Sequence, residues 1–531
     1  MSTRFDVIVI GAGENGLTAA AYLARAGRKV LVLERRDVIG GSNHLTELHP
    51  GFRVDGAFHR RGWLDPTMAA ELDLEIAGGT APETAVFAPD GDGGFVLPRS
   101  IPAAVEAVRR RSSWDAARWE EFCRLAHKLS GFLQTLYAST PPQLTSTRPA
   151  DLMALLGLGG RVRGLGKADM IELLRILPMS VAELLDDWFE TDVLKGTLGA
   201  GGITGIAQGP RSAGTAFVML HHQVGSPAGV FRAGGVPGGA ATLPAQLAAA
   251  ATRAGAEIRT GAAVPRILVR DGCVAGVVLA DGEGITAGQI VSTVDPRRTM
   301  LELVEPTELA PEYARAVQNI RARGVMAKVS LALSELPRFG GSGADERHLR
   351  GVISVSPTLD YLERAWDDAK HGGISRAPVL EAVIPSLADS ALAPAGAHVM
   401  SVWMQYAPWR LRHGQWDAAT REAVGDLVVD CLAEHAPNLP ASILARQVLT
   451  PKDLEEQYGA SEGNLYQGEM GLDQVLFMRP VPGWGNHRTP IGGLYLGGSG
   501  THPGGGIAGG AGRLAVREMS KPGSRQTESS R

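Results

Sequence analysis

The sequence predicts an α/β fold, and three local observations carry that reading. Residues 6–10 (DVIVI) form a short β-branched run of strand character. The glycine-patterned turn GAGENG follows at once and opens into LTAAAYLARAG, whose apolar spacing is helical. A second strand, residues 29–33 (KVLVL), then ends in Glu34. Strand, tight turn, helix and a strand ending in acid make a Rossmann-like nucleotide-binding unit.

Within the turn, Gly11 allows the bend, Gly13 lets backbone approach a pyrophosphate, and Gly16 lets the helix pack close to its strand. The helix N-terminus adds N–H donors and partial positive charge. Glu34 follows Gly16 by about the 20 residues at which an acidic side chain meets a ribose hydroxyl. A carboxylate there favours a free 2′-hydroxyl over a 2′-phosphate. The segment RRDVIGG then places Gly40 and Gly41 just beyond the acid, a second close backbone approach in the pattern of the extended FAD fingerprint. FAD is therefore the expected cofactor, and the resemblance to flavoproteins carrying that fingerprint implies that it is held noncovalently.

Composition narrows the class. With 531 residues, 44% hydrophobic, 20% charged and a net charge of −4, the chain is long enough for a large buried core and has no basic excess to neutralise nucleic-acid phosphates. Glycine is in clustered excess, 68 residues against a usual share of about 7%. Cys123, Cys273 and Cys431 form no CxxC pair, so dithiol redox chemistry, a disulfide framework and a cysteine zinc site lose support, and no metal is expected. No run of 18 apolar residues exists and the first strand begins almost at once, so the expectation is a cytoplasmic protein without a leader or spanning helix.

Four longer segments resemble one family. Residues 234–296 read as a Gly/Pro loop, a helix and strands joined by Asp271-Gly272 and Asp281-Gly282 turns. Residues 494–516 (LYLGGSGTHPGGGIAGGAGRLAV) read as a strand, a glycine-dense loop and a helix. Together with segments around 385–409 and 463–484, they resemble the phytoene desaturase-like FAD-dependent oxidoreductases over nearly the whole chain, 101–147 excepted. The subgroup resembled contains pyridine nucleotide-disulfide oxidoreductase domain-containing protein 2 and the desaturase-type carotene ketolases.

That resemblance implies an amine oxidase/phytoene desaturase-like architecture: a discontinuous FAD-binding domain from residues 1–85, 225–300 and 455–520, and an α+β substrate or lid domain from 86–224 and 301–454, with a frayed tail at 521–531. Residues 101–220 read as largely helical, and an exposed apolar lid leaves peripheral membrane contact open. The resemblance also implies that Val264 sets backbone against the adenine, and that Gly500, Gly505, Gly506 and Ile507 belong to the element covering the isoalloxazine, where a helix N-terminus suits the charge of reduced flavin.

The activity implied is removal of two hydrogens from a largely apolar small molecule, with oxygen, a quinone or another acceptor reoxidising the flavin. C–N oxidation and carotenoid ketolation stay open as alternatives, and a binding protein of the GDP dissociation inhibitor kind is the non-enzymatic one. Departures from the family pattern supply the site candidates. Ser42-Asn43-His44 stands where relatives carry small or apolar residues, and His59, Arg60 and Arg61 follow PGFRVD. Arg60 or Arg61 would hold a polar or anionic substrate group. Gln467 replaces a common histidine, leaving His502, His59, His221 or His222 as candidate proton carriers, with helix capping the competing role for the last two. Trp403, Tyr406, Trp409 and Trp484 are candidate pocket walls or ordinary core. Oligomeric state has no signature in the sequence.

Overall fold

A computed structural model describes residues 4–59, 62–75, 82–90, 94–143, 149–226, 242–340 and 346–521. One seven-stranded sheet is gathered from three distant parts of the chain. Arg4–Ile10 lies in its middle, parallel to Val30–Leu33 on one side and to Gly284–Ser292 on the other, with Glu257–Arg259 beyond Val30–Leu33. Strand Gly284–Ser292 is shared along its length: its first residues pair antiparallel with Cys273–Val278, and its last three, 290–292, pair parallel with Leu494–Leu496. Asp271 and Gly272 both adopt positive φ, 49° and 70°, which makes the tight turn between Arg266–Arg270 and Cys273–Val278.

Small residues bring the helices down onto this sheet. Helix Glu14–Arg25 buries Gly16, Leu17 and four alanines, and shares a core cluster with Leu247 of helix Thr242–Arg253 and Ala515 of helix Gly510–Met519. A Cβ on Gly16 would lie 1.9 Å from the Gly11 carbonyl oxygen, and one on Gly512 would lie 2.0 Å from that of Asn15. Glycine at both places is what permits the close approach.

The second seven-stranded sheet runs Ile443–Leu449, Met326–Leu333, His398–Gln405, Val379–Val383, Val352–Val355, Thr84–Ala88 and Phe95–Pro98. Met326–Leu333 is buried at all eight positions, and its alternation sorts the two faces. Val329, Leu331 and Leu333 cluster with Val424, Val428 and Leu432 of helix Ala418–Ala433, while Lys328 points the other way and donates to the carbonyls of Asp55 and Gly56 at 2.6 and 2.5 Å. Burial lowers the Lys328 pKa to about 8.

The described residues of 101–222 are largely helical, including Ser113–Tyr137, Pro149–Gly164, Lys167–Ile176 and Thr215–His222. The buried Asp115 carboxylate accepts from the Glu190 and Thr191 amides at 2.8 and 2.9 Å, fixing the entry to helix Asp192–Ile203. Of the expected tail, all but Lys521 lies outside the described residues.

The long return from residue 459 to 510 has little regular structure and is organised by Arg479. This side chain is fully buried, and its guanidinium donates to the carbonyls of Tyr466, Gly468, Glu469, Gln474 and Ser499 at 2.5–3.2 Å. Burial pushes its pKa down to about 10, so it remains a cation at neutral pH. Arg479→Met takes a donor from five interior carbonyls, of which that of Glu469 keeps one from Gln474 Nε2 at 3.2 Å, and is expected to cost on the order of 3–5 kcal/mol of stability. A thermal midpoint equal to wild type would show that other contacts hold the loop.

Candidate active site

Both sheets, the helical layer and the 459–510 return line one cavity of about 620 Å³. One end is built by the glycine turn. Gly11 has φ +100°, and a Cβ there would meet Thr293 Oγ1 at 2.6 Å, while one on Gly41 would lie 3.2 Å from the Gly13 Cα. The two glycine loops are thus stacked back to back, and the Gly40 amide closes them by donating to the Ala12 carbonyl at 2.9 Å. Gly16 packs behind the turn and does not reach the cavity wall.

Glu34, at the end of Val30–Leu33, is buried on this wall. Its carboxylate accepts from the Ala12 amide at 2.8 Å and the Arg36 amide at 3.1 Å, and its remaining lone pairs suit ribose hydroxyls. Val264 lines the same end. Arg36 lies over the Tyr458 ring and donates to the Gly41 carbonyl at 2.9 Å and to His44 Nε2 at 2.8 Å. Burial, reinforced by the Arg36 charge, lowers the His44 pKa to about 4, and the ring stands outside the cavity wall that Ser42 and Asn43 line.

The other end is aromatic. Phe58, Trp63, Trp403 and Tyr466 line it, with Phe58 stacked on Tyr466 at 6.2 Å and edge-on to Trp403 at 5.6 Å. Between the two ends runs the glycine-dense loop. A Cβ on Gly505 would strike the Tyr466 ring at 2.1 Å, and Gly506 accepts from the Trp63 amide at 2.8 Å as Ile507–Ala508 pairs with Trp63–Leu64. His221 Nε2 donates to the Gly505 carbonyl at 2.7 Å, so Nδ1 accepts from the Tyr137 hydroxyl at 2.8 Å, and a neutral ring locks the helical layer to the loop. Gln467 clamps the same region, donating to the Thr293 carbonyl at 3.1 Å and accepting from the Gly500 amide at 2.9 Å.

Several expected residues stand elsewhere. His502 is fully buried away from the cavity wall, its Nε2 donating to the Leu136 carbonyl at 3.2 Å. Burial, with neighbouring His487, drops its pKa to about 3, and from this place off the cavity wall the ring braces the loop. His59 is likewise cut off: it stacks at 4.1 Å behind Trp403, with Nε2 facing Glu381 at 3.2 Å and Nδ1 facing Ser401 at 3.4 Å. It supports the cavity wall without touching the cavity. Tyr406 is no part of that wall either, since its hydroxyl donates to the Gln208 carbonyl at 2.7 Å beside Trp366. Gly500 is spent on Gln467 and is absent from the wall, whereas Gly505, Gly506 and Ile507 line it. Of the remaining aromatics, Trp409 donates to Glu455 and Trp484 packs on Tyr313, both outside the wall. Arg60 and Arg61 lie outside the described residues. Tyr466, Phe58 and Tyr137 were not among the expected residues, although Tyr466 lies inside the GNLYQGEM segment that carries Gln467.

The residues present fit FAD: a glycine cradle at a helix N-terminus, an acid beside it and a glycine-dense loop under an aromatic wall. Fold and cavity together define an FAD-dependent oxidoreductase of phytoene desaturase-like architecture. The chain belongs to the flavin containing amine oxidoreductase family, whose model matches residues 16–519. It is 34% identical over 545 residues to pyridine nucleotide-disulfide oxidoreductase domain-containing protein 2 of Rattus norvegicus, covering 97% of this chain and 93% of that protein. It is 28% identical over 541 residues to a limonene dehydrogenase component of Castellaniella defragrans, covering 97% and 94%. Phytoene desaturases match over nearly the whole chain as well. Among solved structures, an oxidoreductase from Methanosarcina mazei shares the fold at a TM-score of 0.60 and 18% identity, covering 97% of this chain and 99% of that one.

Two outcomes follow from this geometry. Glu34→Ala removes the acceptor of the Ala12 amide and of the ribose, and is expected to weaken FAD binding by about 10–100-fold; titration of stripped protein with FAD reads this, and an unchanged affinity would contradict the assignment. Asp295 is fully buried, accepting from the Arg297 amide at 2.8 Å and the Ser461 amide at 3.3 Å, and burial raises its pKa from 3.8 to about 6. Between those values the folded chain keeps a proton that the unfolded chain has released, so stability falls as pH rises through that window and is level above it. Denaturation series should show this slope in wild type and its loss in Asp295→Asn; identical profiles would refute it.

Proposed function

We propose that the protein removes two hydrogens from adjacent carbons of a largely apolar small molecule, with oxygen, a quinone or another acceptor taking up the electrons afterwards. FAD bound in the cavity supplies the acceptor for the hydride. The observation that supports an apolar substrate is the division of the cavity. Its ionisable carboxylates and guanidinia, Glu14, Glu34, Arg35, Arg36, Arg298 and Glu302, gather at the glycine-turn end. Among the described residues the aromatic end offers Phe58, Trp63, Trp403 and Tyr466 and no Asp, Glu, Lys or Arg. Such a wall binds and orients hydrocarbon and excludes water. The limonene dehydrogenase component, similar over almost the whole chain, is named for an unsaturated hydrocarbon, which agrees with this reading.

A proton leaves with each hydride and needs an acceptor. Of the candidate histidines, His221 is tied to Tyr137 and Gly505, His502 and His59 face away from the cavity, and His222 lines it beside Gly506. We assign the proton to His222. The same aromatic wall favours one second reading, C–N oxidation of an amine, because ring faces attract an ammonium group.

Anaerobic mixing of the flavin-loaded protein with terpene and polyene hydrocarbons, and separately with primary amines, distinguishes the two. Bleaching by hydrocarbons alone is expected; bleaching by amines alone would overturn the proposal. With a bleaching substrate in hand, His222→Asn should lower kcat by about 10²-fold at neutral pH while leaving FAD content unchanged. A kcat near wild type would remove His222 from the mechanism.

A further inference from the structure

The four aromatic side chains at the apolar end of the cavity are not held equally. Trp403 is pinned by its Nε1 hydrogen bond to the Ala57 carbonyl at 2.9 Å and backed by the His59 ring at 4.1 Å. Phe58 lies between Trp403 and Tyr466, and Tyr466 has the His222 ring, at 6.0 Å, as a further neighbour. Trp63 has neither device. Among the described residues its Nε1 makes no hydrogen bond and no ring lies against its indole, which is half-buried and packs on the core of the helical layer.

What locates that indole is a glycine. Gly225 stands in the turn after helix Thr215–His222, at φ +76°. A Cβ there would lie 1.7 Å from Cδ1, 2.1 Å from Nε1 and 2.6 Å from Cγ of Trp63, so every atom in its way belongs to the indole. Neither backbone has room to retreat. On the glycine's side the Val224 amide donates to the His221 carbonyl at 3.2 Å, the Ser226 amide to the Gln223 carbonyl at 2.9 Å, and His127 Nδ1 to the Ser226 carbonyl at 3.2 Å. On the other side the Trp63 amide donates to the Gly506 carbonyl at 2.8 Å, and Trp63–Leu64 pairs with Ile507–Ala508. Trp63 lines the cavity and Gly225 does not, so the glycine lies behind the indole. A side chain at 225 is therefore accommodated by turning the indole toward the cavity.

We propose that Trp63 determines how long a substrate the apolar end accepts, with Gly225 as the seat that holds its indole back. This rests on the reading of that end as the place of an apolar substrate. With the seat empty the wall stands open and a long chain fits; a methyl group in the seat shortens the cavity while leaving Phe58, Trp403 and Tyr466 where they are.

The test reads binding without turnover, from the change in flavin absorbance when the full-length, FAD-loaded protein is titrated with saturated hydrocarbons, p-menthane as the short one and phytane as the long one, and with cyclohexylamine and dodecylamine as the matching amines. Gly225→Ala is expected to weaken the long ligand by about tenfold or more relative to the short one. Trp63→Ala alone should weaken the short ligand several-fold, by removing its wall, and spare the long one. In the Trp63→Ala background Gly225→Ala should leave the long-to-short ratio unchanged, because the atoms it strikes are gone. The double variant keeps the strain of alanine at positive φ, so a length effect that persists in it belongs to the backbone and overturns the proposal. Single variants with wild-type flavin content, thermal midpoint and length ratio overturn it as well. Amines that bind where hydrocarbons do not would defeat the apolar-substrate reading alone, since the length ratio read on the amines still decides the role of Trp63; a wild-type protein that binds neither series defeats both.

Discussion

A buried arginine whose hydrogen bonds all go to backbone carbonyls holds the flavin side of this molecule together. Arg479 lies in the interior and is surrounded by backbone carbonyls from two separate stretches, 466–474 and 499. Five N–H groups in a planar fork match carbonyls that arrive from different directions, which a lysine ammonium on a flexible stem does not do. The cation is costly to bury, and its solvation by carbonyl dipoles keeps it charged. Because those stretches carry Tyr466, Gln467 and Ser499 to the cavity wall, the aromatic end and the glycine-dense loop are positioned by the same side chain.

Around that hub the chain is stitched across long sequence distances. Gln467 joins the end of Gly284–Ser292 to the loop at Gly500, and His221 joins the helical layer to Gly505 through a ring whose tautomer the Gly505 carbonyl sets. His59 and Trp403 play a parallel part on the other wall, where Trp403 Nε1 donates to the Ala57 carbonyl at 2.9 Å and His59 backs its ring. Most buried polar groups near the cavity serve positioning. This agrees with flavin chemistry, in which the protein's share is to bind, orient and exclude water.

What was legible in the sequence was local or written in long motifs. The turn at Gly11, the acid at Glu34 and the double glycine at 40–41 lie within one supersecondary unit, so spacing alone locates them. The histidines were not legible in the same way. Whether His502 or His59 faces substrate depends on Leu136, Glu381 and Ser401, which lie far off in sequence, and burial reverses the chemical promise of an imidazole. Trp403 and Tyr406 show a finer limit. They lie three residues apart across the end of His398–Gln405, so strand alternation alone argues against both facing one cavity, and only Trp403 does. Arg479 had no motif to reveal it, because its partners are carbonyls that any residue supplies.

The functional reading rests on the stacked glycine loops and Glu34 holding FAD without a covalent bond. The absorbance spectrum of the purified protein, taken before and after acid precipitation, examines that bond itself. Noncovalent binding predicts the two-band spectrum of oxidised flavin in the native protein and its transfer, as FAD, to the acid supernatant. Flavin that stays with the precipitate, or a colourless protein that FAD does not reconstitute, would contradict it.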